Sequence, residues 1–393
     1  MRPAVMVPFS AAPDLAGPGI YLHIPYCRSK CHYCAFNSRA GREGEIPAYL
    51  AALRRHLGQM AEHSCWQRLC YTSLYIGGGT PTLCPADALA RLITRCRTLF
   101  SFVPEPEITV EANPDTLAGD MLHLLRQAGV TRLSIGVQSL IPDELHRLGR
   151  RHTVADASRA FSLARQVGFA SVSLDLMFGL PGQTVQSWQQ TLRAALELAP
   201  DHFSLYELMV EEGTECAAQL QRRAMTLPTD DEVAAMAGIT NELLAAAGFH
   251  RYEISNYARV GHRCRHNCNY WENGSWLALG AGAVGSLAGM KISCVVDPSL
   301  YIRRIAADAS PYREIESLCR PALFRETVVM GLRMTDGISL ARLRQRFGLD
   351  PLDYYGASIR RLLADRVLVL ADDRLRLTAA ALPVANQVLA RLV

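Results

Sequence analysis

The segment Ile20-Tyr-Leu-His-Ile-Pro-Tyr-Cys-Arg-Ser-Lys-Cys-His-Tyr-Cys34 decides the reading of this chain. It joins a short apolar strand to three cysteines, Cys27, Cys31 and Cys34, in a C-x3-C-x2-C run. Three thiolates crowded so closely repel one another unless they share a soft metal centre. A structural zinc site or a fully ligated cluster takes four ligands, and this run supplies three. A cubane [4Fe–4S] cluster held by three cysteines leaves one iron open. That redox-active arrangement is the leading expectation, with a zinc knuckle or unrelated reduced thiols as the alternative.

Outward from this segment, short β-branched runs alternate with helical periodicity to about residue 255. Strands are expected at Ile20–Ile24, Ser73–Ile76, Ile108–Glu111, Arg132–Val137, Ser171–Met177 and Phe203–Leu208. Ile46, Tyr49, Leu50, Leu53, Leu57 and Met60 share one helical face, as do Leu89, Leu92, Ile93, Cys96 and Phe100. Ala128-Gly-Val, Val167-Gly-Phe and Ala247-Gly-Phe each place a glycine where a helix should turn into a strand. Repeated βα units argue for an α/β fold, either a parallel barrel or a doubly wound sheet. A boundary is expected between Val295 and Arg320, with an N-terminal extension over 1–19, the barrel over 20–300 and a smaller domain over 310–393. In the last, helices are expected at Leu323–Leu332, Leu340–Phe347 and Asp353–Ala364, then a hairpin around Asp372-Asp373 and a final helix, a winged-helix-type pattern.

Composition narrows the function. Apolar residues make up 49% of 393, charged residues 20%, and the net charge is +4, ordinary values for a globular protein. Such a charge argues for neither nucleic acid nor membrane, and the arginines beyond Arg320 reflect a chain whose basic residues are nearly all arginine. The twelve cysteines lack a short-domain disulfide spacing. Met1 to Gly19 lacks a basic n-region and a continuous apolar h-region, and Trp276 to Met290 is too short to span a bilayer. A cytoplasmic location is expected.

In parallel α/β folds ligands collect at the C-terminal strand ends, and polar residues stand there in unit after unit. They are Gly77-Gly-Gly-Thr-Pro81, Glu111-Ala-Asn-Pro114, Gly136-Val-Gln138 with Arg150 beyond it, and Asp175. The cysteine run, with Tyr33 before its third cysteine, resembles the signature of radical S-adenosylmethionine (SAM) enzymes. Tyr21–Cys27 and Cys34-Ala-Phe-Asn-Ser38 resemble the coproporphyrinogen-dehydrogenase-like family within them. The resemblance implies a partial (βα)6 barrel, a [4Fe–4S] cluster on Cys27, Cys31 and Cys34, and SAM on the open iron as the source of a 5′-deoxyadenosyl radical. It aligns Tyr21, Tyr33, Gly78, Gly79, Thr80, Glu111, Gln138, Arg150 and Asp175 with SAM-contacting positions, Arg150 as a two-pronged clamp on a carboxylate. It also implies that the C-terminal unit matches the family's C-terminal domain.

Beyond the barrel, His266-Asn-Cys-Asn-Tyr-Trp271 resembles the H-N-x-x-Y-W run of the family's haem-chaperone members. His266 is therefore the candidate haem ligand by resemblance, whereas alone it reads as a hydrogen-bonded structural histidine. Cys264 and Cys268 read as inert. In Leu279-Gly-Ala-Gly-Ala-Val-Gly-Ser286, Val284 stands where the family usually has histidine. The oxidase branch decarboxylates coproporphyrinogen III oxidatively and carries a further cysteine where this chain has Phe36. Haem binding and delivery to respiratory haem proteins is accordingly the expected function, and oxygen-independent coproporphyrinogen III oxidase the alternative.

Overall fold

The computed structural model describes residues 17–393, so the N-terminal extension lies almost wholly outside the described residues. Six parallel strands run in chain order: β1 (Gly19–Ile24), β2 (Cys70–Gly78), β3 (Ser101–Ala112), β4 (Arg132–Gln138), β5 (Ser171–Phe178) and β6 (His202–Glu207). The first five cover the expected strands and β6 stops one residue short, at Glu207, and their order is that of a partial (βα)6 barrel. Between them, α1 (Ile46–Ala61) and α2 (Ala86–Leu99) bury the apolar faces expected of them. The three αβ turns form as expected: Gly129, Gly168 and Gly248 adopt φ of 98°, 83° and 80°, a left-handed conformation that only glycine adopts without strain.

The sheet is wider than the expected six strands. On the β6 side it gains β7 (His250–Arg251) and β8 (Asn256–Ala258). On the β1 side it gains β9 (Trp276–Leu279), parallel to β1, then the antiparallel β10 (Val284–Leu287), β11 (Met290–Cys294) and β12 (Tyr312–Ser317). These make one twelve-stranded sheet among the described residues. The apolar, glycine-rich stretch from Trp276 is thus an edge extension of the barrel.

Alternation along the six strands sorts residues by face. Leu22 pairs with Ile76, Leu74 with Ile108, Val110 with Leu133, and Ile135 with Leu174 and on to Phe203, all fully buried in the core that includes the helices. The intervening residues are polar: Tyr21 pairs with Tyr75, Glu111 with Ser134, Ser134 with Ser173 and Ser173 with His202. Parallel strands covered on both sides ordinarily read as continuous apolar runs. Here the inner face lines a polar chamber.

A short helix, α3 (Arg265–Trp271), closes the N-terminal end of that chamber. The carboxylate of Glu107, at the base of β3, accepts from the backbone N–H groups of Arg265 and His266 at 2.9 and 3.1 Å. This satisfies donors that a helix start leaves unpaired, and it places negative charge at the positive end of the helix dipole.

The second core begins at Leu323, while β12 keeps residues to Ser317 in the large sheet, so a unit drawn from 310 includes one strand of that sheet. The helices Arg320–Gly331 and Leu340–Phe347 form as expected. The expected helix Asp353–Ala364 is instead two, Pro351–Tyr355 and Ala357–Ala364, because Gly356 at φ 51°, ψ −114° breaks the ladder. The strands Leu368–Ala371 and Arg374–Leu377 pair around Asp372 and Asp373, both at positive φ, as a two-residue hairpin turn requires. The final helix is a short α-helical turn, Ala385–Leu389, flanked by 3-10 segments, with Pro383 interrupting. Arg346 joins the units by donating to the carbonyls of Glu272 and Asn273, and Arg263 pairs with Asp336 at 2.6 Å.

Candidate cofactor site at the barrel mouth

After β1 the chain forms a two-residue pairing of Tyr26–Cys27 with Arg39–Ala40, which pinches off the loop carrying Cys31 and Cys34. The loop is fixed from outside: the backbone N–H of His32 donates to Leu148 O at 3.0 Å, and Cys216 donates to His32 O at 2.9 Å. All three loop cysteines are free and half-buried. Burial raises the Cys27 thiol pKa and the neighbouring Cys34 and Cys31 add to it, while the Thr80 hydroxyl, 3.5 Å from Cys27 Sγ, opposes the shift. By contrast, burial pushes Cys84 and Cys268 up to about 12, the behaviour of inert core thiols.

A hydrogen-bonded chain links two of the cysteines. Thr80 donates to Cys27 and accepts from Asn113 Nδ2 at 3.2 Å; Arg150 donates to Asn113 Oδ1 at 2.9 Å and to Cys31 Sγ at 3.4 Å. Arg150 also donates to Gly136 O, leaving its Nε as a buried donor with no partner. The guanidinium expected to clamp a carboxylate thus already bonds within the protein through both terminal nitrogens, and its Nε is a further buried donor facing no partner. Asn113 was absent from the expected residues, although it stands two positions after Glu111 and hence on the same face.

The glycine turn after β2 is shaped by its neighbours. A Cβ on Gly77 would lie 2.8 Å from the Glu111 carboxyl, on Gly78 2.7 Å from the His23 ring, and on Gly79 2.6 Å from Tyr26 O. The glycines therefore let the strand ends and the cysteine loop crowd together. Glu111 accepts from Tyr75 Oη at 2.8 Å and from the Gly78 N–H at 3.0 Å. Asp175 accepts from the hydroxyls of Ser134 and Ser173 at 2.9 and 3.1 Å. Gln138 sits at a bulge with φ 70°, a strained conformation of the kind found where a strand end re-aims a side chain. Tyr21 donates or accepts at His23 Nδ1, 2.8 Å away, and Tyr33 packs with Leu148, Met177 and Leu180 at the edge of this group.

Burial, with a smaller contribution from Asp175, raises the Glu111 pKa to about 7 from 4.5. Between those values the folded state binds the extra proton, so stability falls as pH rises through this window. Glu111→Gln, which keeps the neutral shape, is expected to raise the thermal midpoint over the parent near pH 8 and much less near pH 5. Equal gains at both pH values would refute the assignment.

His266 is placed elsewhere. It pairs through Nδ1 with Ser73 Oγ at 2.9 Å and through Nε2 with Tyr270 Oη at 2.8 Å, is 1% exposed, and stacks on Tyr75. Ser73 lies four residues before Gly77 along β2, roughly 13 Å below the mouth at 3.3 Å per residue. In this arrangement both ring nitrogens of His266, the expected haem ligand, are hydrogen-bonded within the chamber floor. Burial lowers the imidazole to about 3, keeping it neutral.

Comparison with known proteins places this arrangement. The sequence profile of the Radical SAM superfamily matches residues 21–195, and that of the HemN C-terminal domain matches 320–384. A relative named heme chaperone HemW, from Bacillus subtilis, is 37% identical over 350 residues, 89% of this chain and 92% of its own. The chain belongs to the HemW family. Another HemW member, from Escherichia coli, is 40% identical over 68% of this chain and 70% of its own length. The Mus musculus protein named radical S-adenosyl methionine domain-containing protein 1, mitochondrial, is 35% identical over 95% of this chain and 87% of its own. The HemW fold is shared with coproporphyrinogen III oxidase (HemN) from Escherichia coli, with a TM-score of 0.84 at 22% identity over 98% of this chain and 91% of that one.

Proposed function

We propose that this chain is a radical SAM iron–sulfur protein of the cytoplasm that binds haem and delivers it to haem-dependent respiratory proteins. The observation that carries the reading is the match to haem-chaperone relatives along about nine-tenths of both chains. No helix among the described residues is long and apolar enough to cross a membrane.

The donor set fits the cofactors. Cys27, Cys31 and Cys34 are free, clustered and accessible, and they would hold a [4Fe–4S] cluster. No group of three or more His, Cys, Asp or Glu among the described residues converges on a single metal ion. A cubane places each cysteine on a different iron, so convergence on one point is not its requirement. Arg150, with its orphan Nε, and Glu111, Gln138 and Asp175 would hold SAM, whose bound form supplies one-electron chemistry. The protein's own residues position and insulate: Thr80 and Arg150 donate to thiolate sulfur, Ser134 and Ser173 orient Asp175, and Tyr75 and Gly78 hold Glu111.

Phe36, in place of the oxidase branch's further cysteine, favours haem as cargo over coproporphyrinogen decarboxylation. A haem titration followed by absorbance, beside an anaerobic assay with coproporphyrinogen III, tests this. A Soret shift with little or no decarboxylation is expected; robust conversion without haem binding would move the chain to oxidase function. His266→Ala is expected to leave haem affinity within about threefold of the parent, since its ring faces Ser73 and Tyr270, while loss of the two buried hydrogen bonds lowers stability by roughly 1–3 kcal/mol. A lost Soret shift in a variant still folded by circular dichroism would restore His266 as the ligand.

A further inference from the structure

The rim beside the cysteine loop carries three exposed apolar side chains: Phe36 at 71% exposure, Val284 at 42% and Val296 at 38%. They come from distant segments: Asn37, next to Phe36, donates through Nδ2 to Val296 O at 3.1 Å and to Ala281 O at 2.9 Å, three residues before Val284. Two of the three stand at the positions where this chain departs from the expected family pattern, Phe36 for a cysteine and Val284 for a histidine. Both departures replace a metal-binding side chain with an apolar one, and both point to the same patch.

The cysteine loop beside the patch is one-sided in charge. Between Arg28 and Arg42 the loop carries Arg28, Lys30, Arg39 and Arg42 and no acid. Arg28 pairs with Asp115 and Arg42 with Glu45, whereas Lys30 and Arg39 have no acidic partner within ion-pair distance among the described residues. Lys30 instead donates to the carbonyl of Phe36 at 3.3 Å, and Arg39 to that of Ser38 at 3.2 Å, so their cations lie beside the apolar rim.

We propose that the Phe36–Val284–Val296 rim is the seat of the haem macrocycle, with Lys30 and Arg39 taking its anionic propionates. The inference rests on the haem reading above and names its contact surface. A flat apolar ring with carboxylates at one edge matches an apolar patch with cations at one edge. The ring covers apolar area that water otherwise wets, and the propionates find cations whose bonds in the described residues are to carbonyls and not to acids.

The test measures haem uptake by the anaerobically reconstituted full chain. Phe36→Asp and Val284→Asp are each expected to weaken haem binding by about tenfold or more, with iron content unchanged. Val260→Asp, at an 85% exposed apolar residue outside the rim, is expected to leave it unchanged. Lys30→Glu should weaken haem but not haem dimethyl ester, and iron-free protoporphyrin IX should compete with haem because the contact is with the ring. Haem uptake that is undiminished in both rim variants, or protoporphyrin that fails to compete, would overturn the seat while leaving the haem reading standing. No haem uptake by the parent chain would overturn both.

Discussion

Alanine at Cys27, Cys31 or Cys34 is expected to abolish iron uptake on anaerobic reconstitution, from about four irons per chain in the parent to near none. The broad thiolate-to-iron absorption should vanish with it. Each variant removes one of three ligands, and a cluster already missing a protein ligand on one iron has none to spare. Alanine at Cys65, Cys70 or Cys84 should leave iron content unaltered. None of the three belongs to the loop, and Cys84 is 1% exposed with its thiol pushed up to about 12. Stoichiometric zinc, with no iron taken up after reconstitution, would return the run to a zinc knuckle.

The second large effect is on SAM. Glu111→Ala, Gln138→Ala, Arg150→Ala and Asp175→Ala are each expected to weaken SAM binding about ten- to a hundredfold, with iron retained. That is the loss of a charge-assisted contact, roughly 1.5–3 kcal/mol. Arg150→Ala should be the most severe, because its guanidinium also holds Asn113 and the Cys31 sulfur. Asn113→Ala should then reproduce part of the Arg150 effect. Equilibrium dialysis of the reconstituted proteins decides the matter: affinities equal to the parent in all four variants would dismantle the shared site.

Much of this architecture is written locally. Leu22, Leu74, Val110 and Leu133 lie in short runs whose β-branched and apolar content marks a strand, and Gly129, Gly168 and Gly248 end helices in a conformation that strains other residues. The cysteine spacing is likewise local. What could not be read was set by distant pairings. β9 joins β1 across more than two hundred residues, and no periodicity within Trp276–Leu279 announces a partner so far away. His266 was a candidate ligand by resemblance, and nothing near it in the chain shows its partners: Ser73, 193 residues earlier, and the Glu107 anchor fix it in the floor. Gly356 broke a helix whose apolar spacing ran straight through it. One signal was present and unread. The alternation Ser73-Leu-Tyr-Ile and Arg132-Leu-Ser-Ile, in strands expected to be covered on both sides, already describes a barrel with a polar lining.

That alternation has a consequence for how such a protein can change over time. Odd and even positions of one strand answer to different demands. Leu174 and Ile135 hold the helices to the sheet, and a smaller residue there opens a void in tightly packed surroundings. Ser173 and Ser134, one step away, face the chamber, where a new side chain must take over hydrogen bonds to Asp175 but opens no void against the helices. Selection for a new cargo or reaction can therefore act on every second residue of the barrel while the helix-facing core stays packed, provided the chamber's hydrogen bonds are exchanged as sets, so one scaffold can be reassigned without first being rebuilt.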